Sequence, residues 1–521
     1  MTLWDESKKI TTAILLVSAI FCACATESII GTALSFGKLD MLGDLYTTID
    51  EFTQLDVSYT TAKLCGFMLV PALFARFRPL AVALTACTVM TLFSLLMICT
   101  HELFLLVVIR VIQGLFGGIF LVSGQSILFL LFCGKSKPLI QLIFTCGTVV
   151  ISTTFASGLQ GWAVDTLTWQ AIFLISFGFG VAAILLLCQV SLNLIPIMGT
   201  KRSDSLGLVF FAIAAFCITY VAQEASRWNW FESTHIIILT SLGGVALLIC
   251  LCRWIAFPNA THLVDIAVFK NRDFSFGFMV SFVAGIALLG STFLISGFML
   301  NVLGMTATHT GWLIFLSGIM FLLTLSLVML LITFTKVTPL ATVPFGIFFI
   351  ILALWLFSNS TSESGALDLF LPLMIRGAGF GFLILSLTIY ALGCLKGRYI
   401  VQGVALFTTF RQLGGLFGVA LLQRYLDHQN ALNKTVLSSY LKTGEVAPIE
   451  RLSSIKMILQ SKGMEAGDAT KAAMAFLQKS LVIQTNTISY DEAFLMIIVA
   501  FCIGGSLLIV FKIWLARRVV V

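Results

Sequence analysis

The chemistry open to this chain rests on a few polar residues set in long apolar runs. Glu27 lies past the middle of the run 11–36, with no other acid near it in that run. Lys63 lies in the run 55–75, with Asp56 close to its first residue. Arg110 and Gln113 share the run 103–132, one turn apart on one helix face. Gly114, Gly117 and Gly118 beside them allow a second helix to come close. Arg376 and Arg411 lie in the runs 368–393 and 403–423, again among glycines: Gly377, Gly379 and Gly381, then Gly414, Gly415 and Gly418.

A charge at a bilayer centre costs roughly 2.5–3.5 kcal/mol even on mild insertion scales, so each needs a polar partner or a water-filled cavity. A carboxyl taken out of water favours its neutral form. Glu27 can therefore take a proton from one side and release it to the other. It is the first candidate for proton or substrate coupling, against the plainer reading of a hydrogen-bonded structural acid. Lys63 could pair with Glu27, hold an anionic substrate or reach the interface, and the sequence leaves all three open. Arg110 and Gln113 are expected to shape a polar interior. Asp56, Arg376 and Arg411 are secondary candidates. For the two arginines, tight packing with the head on a carbonyl or at the interface is the simpler reading.

The elements that must position these residues follow from composition. The chain has 521 residues, 59% hydrophobic and 11% charged, with a mean hydropathy of +1.05. A soluble domain is about half apolar and a quarter charged, so this is an all-α polytopic membrane protein. A spanning helix needs about 20 apolar residues. Fourteen candidates appear, at 11–36, 55–75, 79–99, 103–132, 138–163, 168–189, 206–224, 235–256, 275–301, 311–334, 341–358, 368–393, 403–423 and 492–515. With both termini cytoplasmic, the inner segments collect Lys8, Lys9, Arg76, Arg78, Lys201, Arg202, Lys396 and Arg398, among others. The short outer loops hold only Lys38 and Arg227 as cations. The positive-inside rule supports that orientation, and losing one helix would invert every later loop.

Residues 424–491 form a long extracytoplasmic loop of mixed charge. The stretches 453–459 and 472–481 have helical apolar spacing, so part of it can be amphipathic helix. The loop reads most simply as solvated, with a docking surface for an outer partner as the sharper alternative. The run 11–36 is too long for a signal-peptide core of about 7–15 residues. The thirteen Cys fall nearly all in apolar runs and read as free core thiols rather than disulfides or metal ligands. No His-Glu-x-x-His, Gly-x-Ser-x-Gly or phosphate-cradling Gly-x-x-x-x-Gly-Lys occurs, so an enzyme is not expected, nor a cofactor or a nucleic-acid partner. Without a nucleotide loop, uphill transport must draw on an ion or substrate gradient.

Arg110-x-x-Gln113-Gly114 resembles the Arg-x-x-Gln-Gly motif of the major facilitator superfamily, and more narrowly its fourteen-helix drug:proton antiporters of the EmrB/QacA type. The resemblance extends to 223–233, the inner linker 263–274, the loop 302–311, 376–381, 411–420 and 490–494. It implies two six-helix bundles, 1–199 and 263–521, with two inserted helices at 200–262. The helix containing Arg376 would then repeat the one containing Arg110. The resemblance also implies export of hydrophobic or amphipathic compounds driven by proton entry. In a Gram-negative cell it implies a periplasmic adaptor and an outer-membrane channel as partners. Four places depart from the pattern, among them the loop 74–79, Phe-Ala-Arg-Phe-Arg-Pro, without the family's Gly and Asp, and Leu300 where the family has Gln. The helix-one acid, Glu27, stands one place away from the family's Asp, about 100° around the helix. The helix-five motif appears only as 156–161, Ala-Ser-Gly-Leu-Gln-Gly.

The expectation is therefore an inner-membrane secondary transporter for small amphipathic molecules, with Glu27 carrying the proton. Two other readings stay open: a specific transporter of one metabolite or anionic solute that uses Lys63, and a membrane receptor or scaffold that no longer transports.

Overall fold

The computed structural model describes residues 3–36, 38–132, 134–192, 194–197, 205–256, 265–335, 337–439 and 446–517. Among them, fourteen helices are long and apolar enough to cross a membrane. They are α1 (Ile10–Ser35), α2 (Ile49–Phe74), α3 (Pro79–Ile98), α4 (Leu103–Leu131), α5 (Lys137–Thr166), α6 (Gln170–Cys188) and α7 (Leu206–Glu224). The rest are α8 (Thr234–Ile255), α9 (Arg272–Asn301), α10 (Ala307–Phe334), α11 (Pro339–Phe357), α12 (Ala366–Gly393), α13 (Arg398–Ser439) and α14 (Ala466–Trp514). The expected number of spans is present. The end of the bundle that the charges assign to the outside is called the outer end below.

Local chemistry sets the helix limits. α2 starts at Ile49, six residues before the apolar run, because Thr48 and Glu51 form a capping box there. The Thr48 N–H donates to Glu51 Oε2 at 2.9 Å, and Thr48 Oγ1 accepts from the Glu51 N–H at 3.4 Å. Asp56 therefore lies about two turns inside a helix rather than near its edge. Pro79 opens α3 at its first turn, where a missing N–H costs nothing.

Among the described residues, two helices contain π segments. In α5 the segment is Cys146–Phe155, where four hydroxyl residues bond back to their own helix. Thr148 Oγ1 donates to Phe144 O at 2.9 Å, Ser152 Oγ to Val149 O at 3.1 Å, Thr153 Oγ1 to Val149 O at 2.7 Å and Thr154 Oγ1 to Val150 O at 2.6 Å. Such back-bonding competes with the regular ladder and loosens it. In α9 the segment is Ile286–Gly290, where Thr292 Oγ1 takes Leu288 O at 2.7 Å.

The segment 424–491 differs most from expectation. Its described residues are mostly helical, including the two stretches of helical apolar spacing, 453–459 and 472–481. α13 runs on to Ser439, a helix follows at Val446–Ser461, and α14 begins at Ala466. Between 424 and 439 the sequence has neither Gly nor Pro to interrupt the helix. Asn433 Nδ2 ties the two long helices together, donating to Ser489 Oγ and Glu492 Oε2 at 3.1 Å each.

α7 lies against both α2 and α13, and α8 packs on α7. The domain limits expected at 199/200 and 262/263 fall outside the described residues. After them, Asp265 caps a short 3-10 turn at Ile266–Lys270 and pairs with Arg398 at 3.1 Å, fastening the linker to the start of α13.

Candidate functional site

Glu27 sits on α1 with 3% of its side chain exposed. Two groups from α2 converge on its Oε1. Lys63 Nζ lies at 2.5 Å, and Tyr59 Oη donates at 2.9 Å. Tyr59 and Lys63 are four residues apart, so they leave one face of α2 a single turn apart. Of the three options open for Lys63, the structure shows the pairing with Glu27.

α4 holds that face of α2 in place. A Cβ built on Gly114 would stand 2.2 Å from the carbonyl oxygen of Tyr59, and one on Gly118 would stand 2.3 Å from that of Lys63. A Cβ on Gly66 of α2 would stand 2.3 Å from Leu115 O. No side chain fits at these points, so backbone meets backbone and the two residues that grip Glu27 are set by small residues opposite them. Gly117 leaves room for Glu27 itself, since a Cβ there would stand 3.1 Å from Glu27 Cγ.

Arg110, 1% exposed, adds the second cation. Its Nη1 donates to Ile30 O on α1 at 3.0 Å. Its guanidinium lies over the rings of Tyr59 at 5.4 Å and Phe173 at 5.1 Å, a favourable cation–π arrangement. Tyr59 thus touches Glu27 through its hydroxyl and Arg110 through its ring face. Asp56 lies within electrostatic reach of both Arg110 and Lys63, and its Oδ2 accepts from Gln223 Nε2 of α7 at 3.0 Å. Gln113 is fully buried beside Arg110, and neither of its polar atoms has a hydrogen-bond partner among the described residues.

α5 closes the other side of α1. Ser28 Oγ, next to Glu27, donates to Gly147 O at 2.9 Å and Thr148 O at 3.1 Å, carbonyls of the π segment. Gln160 Nε2 donates to Ile29 O at 3.0 Å and Thr32 Oγ1 at 2.8 Å. The motif 156–161 then meets the second bundle. A Cβ on Gly161 would stand 2.6 Å from Ala307 O, and one on Gly311 would stand 2.4 Å from Ser157 O. Asp165 Oδ2 also accepts from the N–H of Thr308 at 3.0 Å and from its hydroxyl. The two bundles are therefore closed on each other along α5 and α10 at the outer end. At the opposite end Lys137 Nζ reaches Gly393 O at 3.5 Å.

The structure brings Glu27, Lys63 and Arg110 into one cluster, with Asp56 at its edge. Arg376 and Arg411 belong to the other bundle. Arg376 Nε donates to Ser291 Oγ at 3.1 Å and Nη2 to Thr292 Oγ1, while the guanidinium lies over Phe380 at 5.0 Å. This repeats the N-terminal pattern, in which an arginine of α4 reaches α1. The glycines follow suit: Gly377 meets Ser317 of α10 as Gly114 meets Tyr59 of α2. Sequence reasoning missed Tyr59 and Gln160. Tyr59 had a signal, its four-residue spacing from Lys63. Gln160 had one too, as an amide inside an apolar helix.

These features define a two-bundle membrane transporter fold with a polar cluster inside its first bundle. The chain belongs to the Major Facilitator Superfamily, which matches residues 16–419. It is similar to the colistin resistance protein EmrB of Acinetobacter baumannii, 25% identical over 493 residues, covering 92% of this chain and 93% of that protein. It is also similar to the multidrug export protein EmrB of Haemophilus influenzae, 25% identical over 435 residues, covering 82% and 83%. A third relative, the probable multidrug resistance protein EmrY of Escherichia coli, is 24% identical over 491 residues, covering 91% and 90%.

Proposed function

We propose that this chain is a multidrug-type exporter that expels small amphipathic or hydrophobic compounds in exchange for protons. It sits in the cell's inner membrane with both termini in the cytoplasm. The observation that carries the coupling is the buried Glu27–Lys63–Tyr59 cluster. A proton and the Lys63 ammonium compete for one carboxylate oxygen. With Glu27 charged, the ion pair draws α1 onto α2. With Glu27 protonated, that attraction is lost and Lys63 is released, so proton occupancy changes how two core helices of the first bundle hold together. Arg110 keeps the tyrosine ring and the α1 backbone fixed while this happens. The names of the relatives support export of drug-like compounds, and the charge distribution supports the orientation.

We assign residues 1–199 and 263–521 to the two rocking bundles and 200–262 to the inserted pair. In a Gram-negative cell, the projecting helices between 424 and 491 would be the surface that meets a periplasmic adaptor leading to an outer-membrane channel. A crosslinking survey that recovers no adaptor there would remove this partner.

The test uses purified protein in liposomes loaded with a pH-sensitive dye. Substrate gradients are imposed from a panel of amphipathic cations, anions and neutral compounds. Substrate-dependent proton movement in the wild type, absent in Glu27→Gln at equal protein levels, is the expected result. A fully active Glu27→Gln sinks the role given to that acid.

A further inference from the structure

α7 touches both bundles. It lies against α2 of the first and α13 of the second, and α2 and α13 also lie against each other. α7 therefore runs along a second seam between the bundles, made by other helices than the α5–α10 contact.

The outer end of α7 is bonded on both sides of that seam. Towards α2, Gln223 Nε2 donates to Asp56 Oδ2 at 3.0 Å, Glu224 hydrogen-bonds Thr53, and Arg227 pairs with Asp50. Asp50, Thr53 and Asp56 are spaced by three, so they share one face of α2. Towards α13, the Ser226 hydroxyl donates to Asp427 Oδ2. Gln423, one turn earlier on α13, donates to Oδ1 of the same carboxylate at 2.9 Å and orients it. The turn that presents these residues is fixed by its own backbone. The Arg227 N–H donates to Glu224 O at 3.1 Å and the Trp230 N–H to Ala225 O at 2.7 Å, with Ala225 fully buried.

The two sides are unequal. Among the described residues, three side chains of this end bond α2 and one bonds α13. The Gln223–Asp56 bond is partly buried, whereas Ser226 and Asp427 meet at the surface. A surface hydrogen bond is exchanged for water at little net cost, while a buried acceptor that loses its donor is penalised. Asp56 also lies within electrostatic reach of Lys63 and Arg110, so α7 is fastened beside the coupling cluster.

We infer that α7 is a strap across the outer end: it travels with the first bundle, and its Ser226 latches Asp427 of the second bundle while that end is closed. Opening breaks the Ser226–Asp427 contact and leaves the bonds to α2 intact. The inserted pair is then a gate element rather than filler between bundle and lipid. This rests on the export reading above, with its two rocking bundles, and adds a moving part to it.

The test uses two cysteine pairs, each bridged by a short bis-methanethiosulfonate reagent and reopened by dithiothreitol. Ser226→Cys with Asp427→Cys joins α7 to α13, and Arg227→Cys with Asp50→Cys joins α7 to α2. Export is read in the dye-loaded liposomes, with the single variants as controls for the native thiols. Bridging α7 to α13 is expected to lower export at least about tenfold, reversibly, while bridging α7 to α2 leaves at least about half. Full export with α7 bridged to α13, or equal loss with α7 bridged to α2, overturns the inference while the export reading stands. A second measurement needs no substrate. Spin labels at Glu232 and Gln54 report α7 against α2, and labels at Glu232 and His428 report α7 against α13, in nanodiscs. Gly311→Val drives a side chain towards Ser157 O and holds the outer ends of α5 and α10 apart. In that variant the Glu232–His428 distance is expected to lengthen and the Glu232–Gln54 distance to stay. A lengthened Glu232–Gln54 distance, or an unchanged Glu232–His428 distance once a Thr32→Cys thiol labels freely, overturns the strap. If the wild type moves no compound of the panel, the export reading fails, and the spin labels still decide the strap.

Discussion

Separating Lys63 from Glu27 should destabilise the protein far more than removing both. The pair is short, at 2.5 Å, and its side chains are 14% and 3% exposed. Taking one partner from a buried pair leaves an uncompensated charge, at a cost of about 3–5 kcal/mol, whereas replacing both by neutral groups of similar volume is often near neutral. Lys63→Met strands a carboxylate that keeps the Tyr59 hydroxyl as its one remaining partner, so its cost belongs in the middle of that range. Glu27→Gln strands an ammonium with some access to solvent, which places it nearer 2–3 kcal/mol. The double variant should lie within ~1 kcal/mol of wild type, so the coupling comes out at about 5–6 kcal/mol. The assay is equilibrium unfolding in mild detergent for the four proteins of the cycle. Additive single effects, with coupling below about 0.5 kcal/mol, would show that the ion pair does not hold α1 to α2.

Four further outcomes follow from the same geometry. Gly118→Val pushes a side chain into the Lys63 carbonyl, so it should cost about 1–3 kcal/mol and depress proton-coupled flux; Gly43→Ala, with nothing within 4 Å, should leave both unchanged. Gly311→Val should stop the outer ends of α5 and α10 from closing on each other, and thiol labelling of a cysteine placed at Thr32 should then rise. Spin labels at Arg424 and Ser439 should give a narrow distance near roughly 22 Å, fifteen residues of continuous helix at 1.5 Å each, whereas an irregular loop would give a broad distribution. Gln223→Leu removes the donor that α7 offers to the half-buried Asp56 and should lower stability by about 1 kcal/mol in thermal melts.

The number of spanning helices was legible because it depends on composition alone. Twenty apolar residues bounded by cations can do little else in a bilayer, so Lys8, Arg76, Arg78 and their counterparts frame the helices without any knowledge of packing. The importance of Glu27, Lys63 and Arg110 was legible for a related reason, since a charge in hydrocarbon must be answered somewhere. The extent of α2 was partly hidden, because a capping box at Thr48 and Glu51 outweighed the polarity of the residues that follow. In the segment 424–491 the helical apolar spacing at 453–459 and 472–481 was legible, and both stretches are helical, but the helices extend well beyond them. The segment's polarity reported exposure to water, and exposure does not forbid a helix. The π segments gave no readable signal in apolar periodicity.

Which acid answers which cation was a tertiary decision. Glu27 and Lys63 are thirty-six residues apart in a chain that crosses between them, and three partners for Lys63 were compatible with the sequence. The choice was made by Gly114, Gly117 and Gly118, whose missing side chains let α2 close on α4 and leave room for the acid between them. A sequence states that small residues and charges share a helix. Only packing decides that one glycine faces the Tyr59 carbonyl, another faces that of Lys63, and the acid of α1 fills the space left over, because a backbone approach of that kind depends on the rotation and depth of three helices at once.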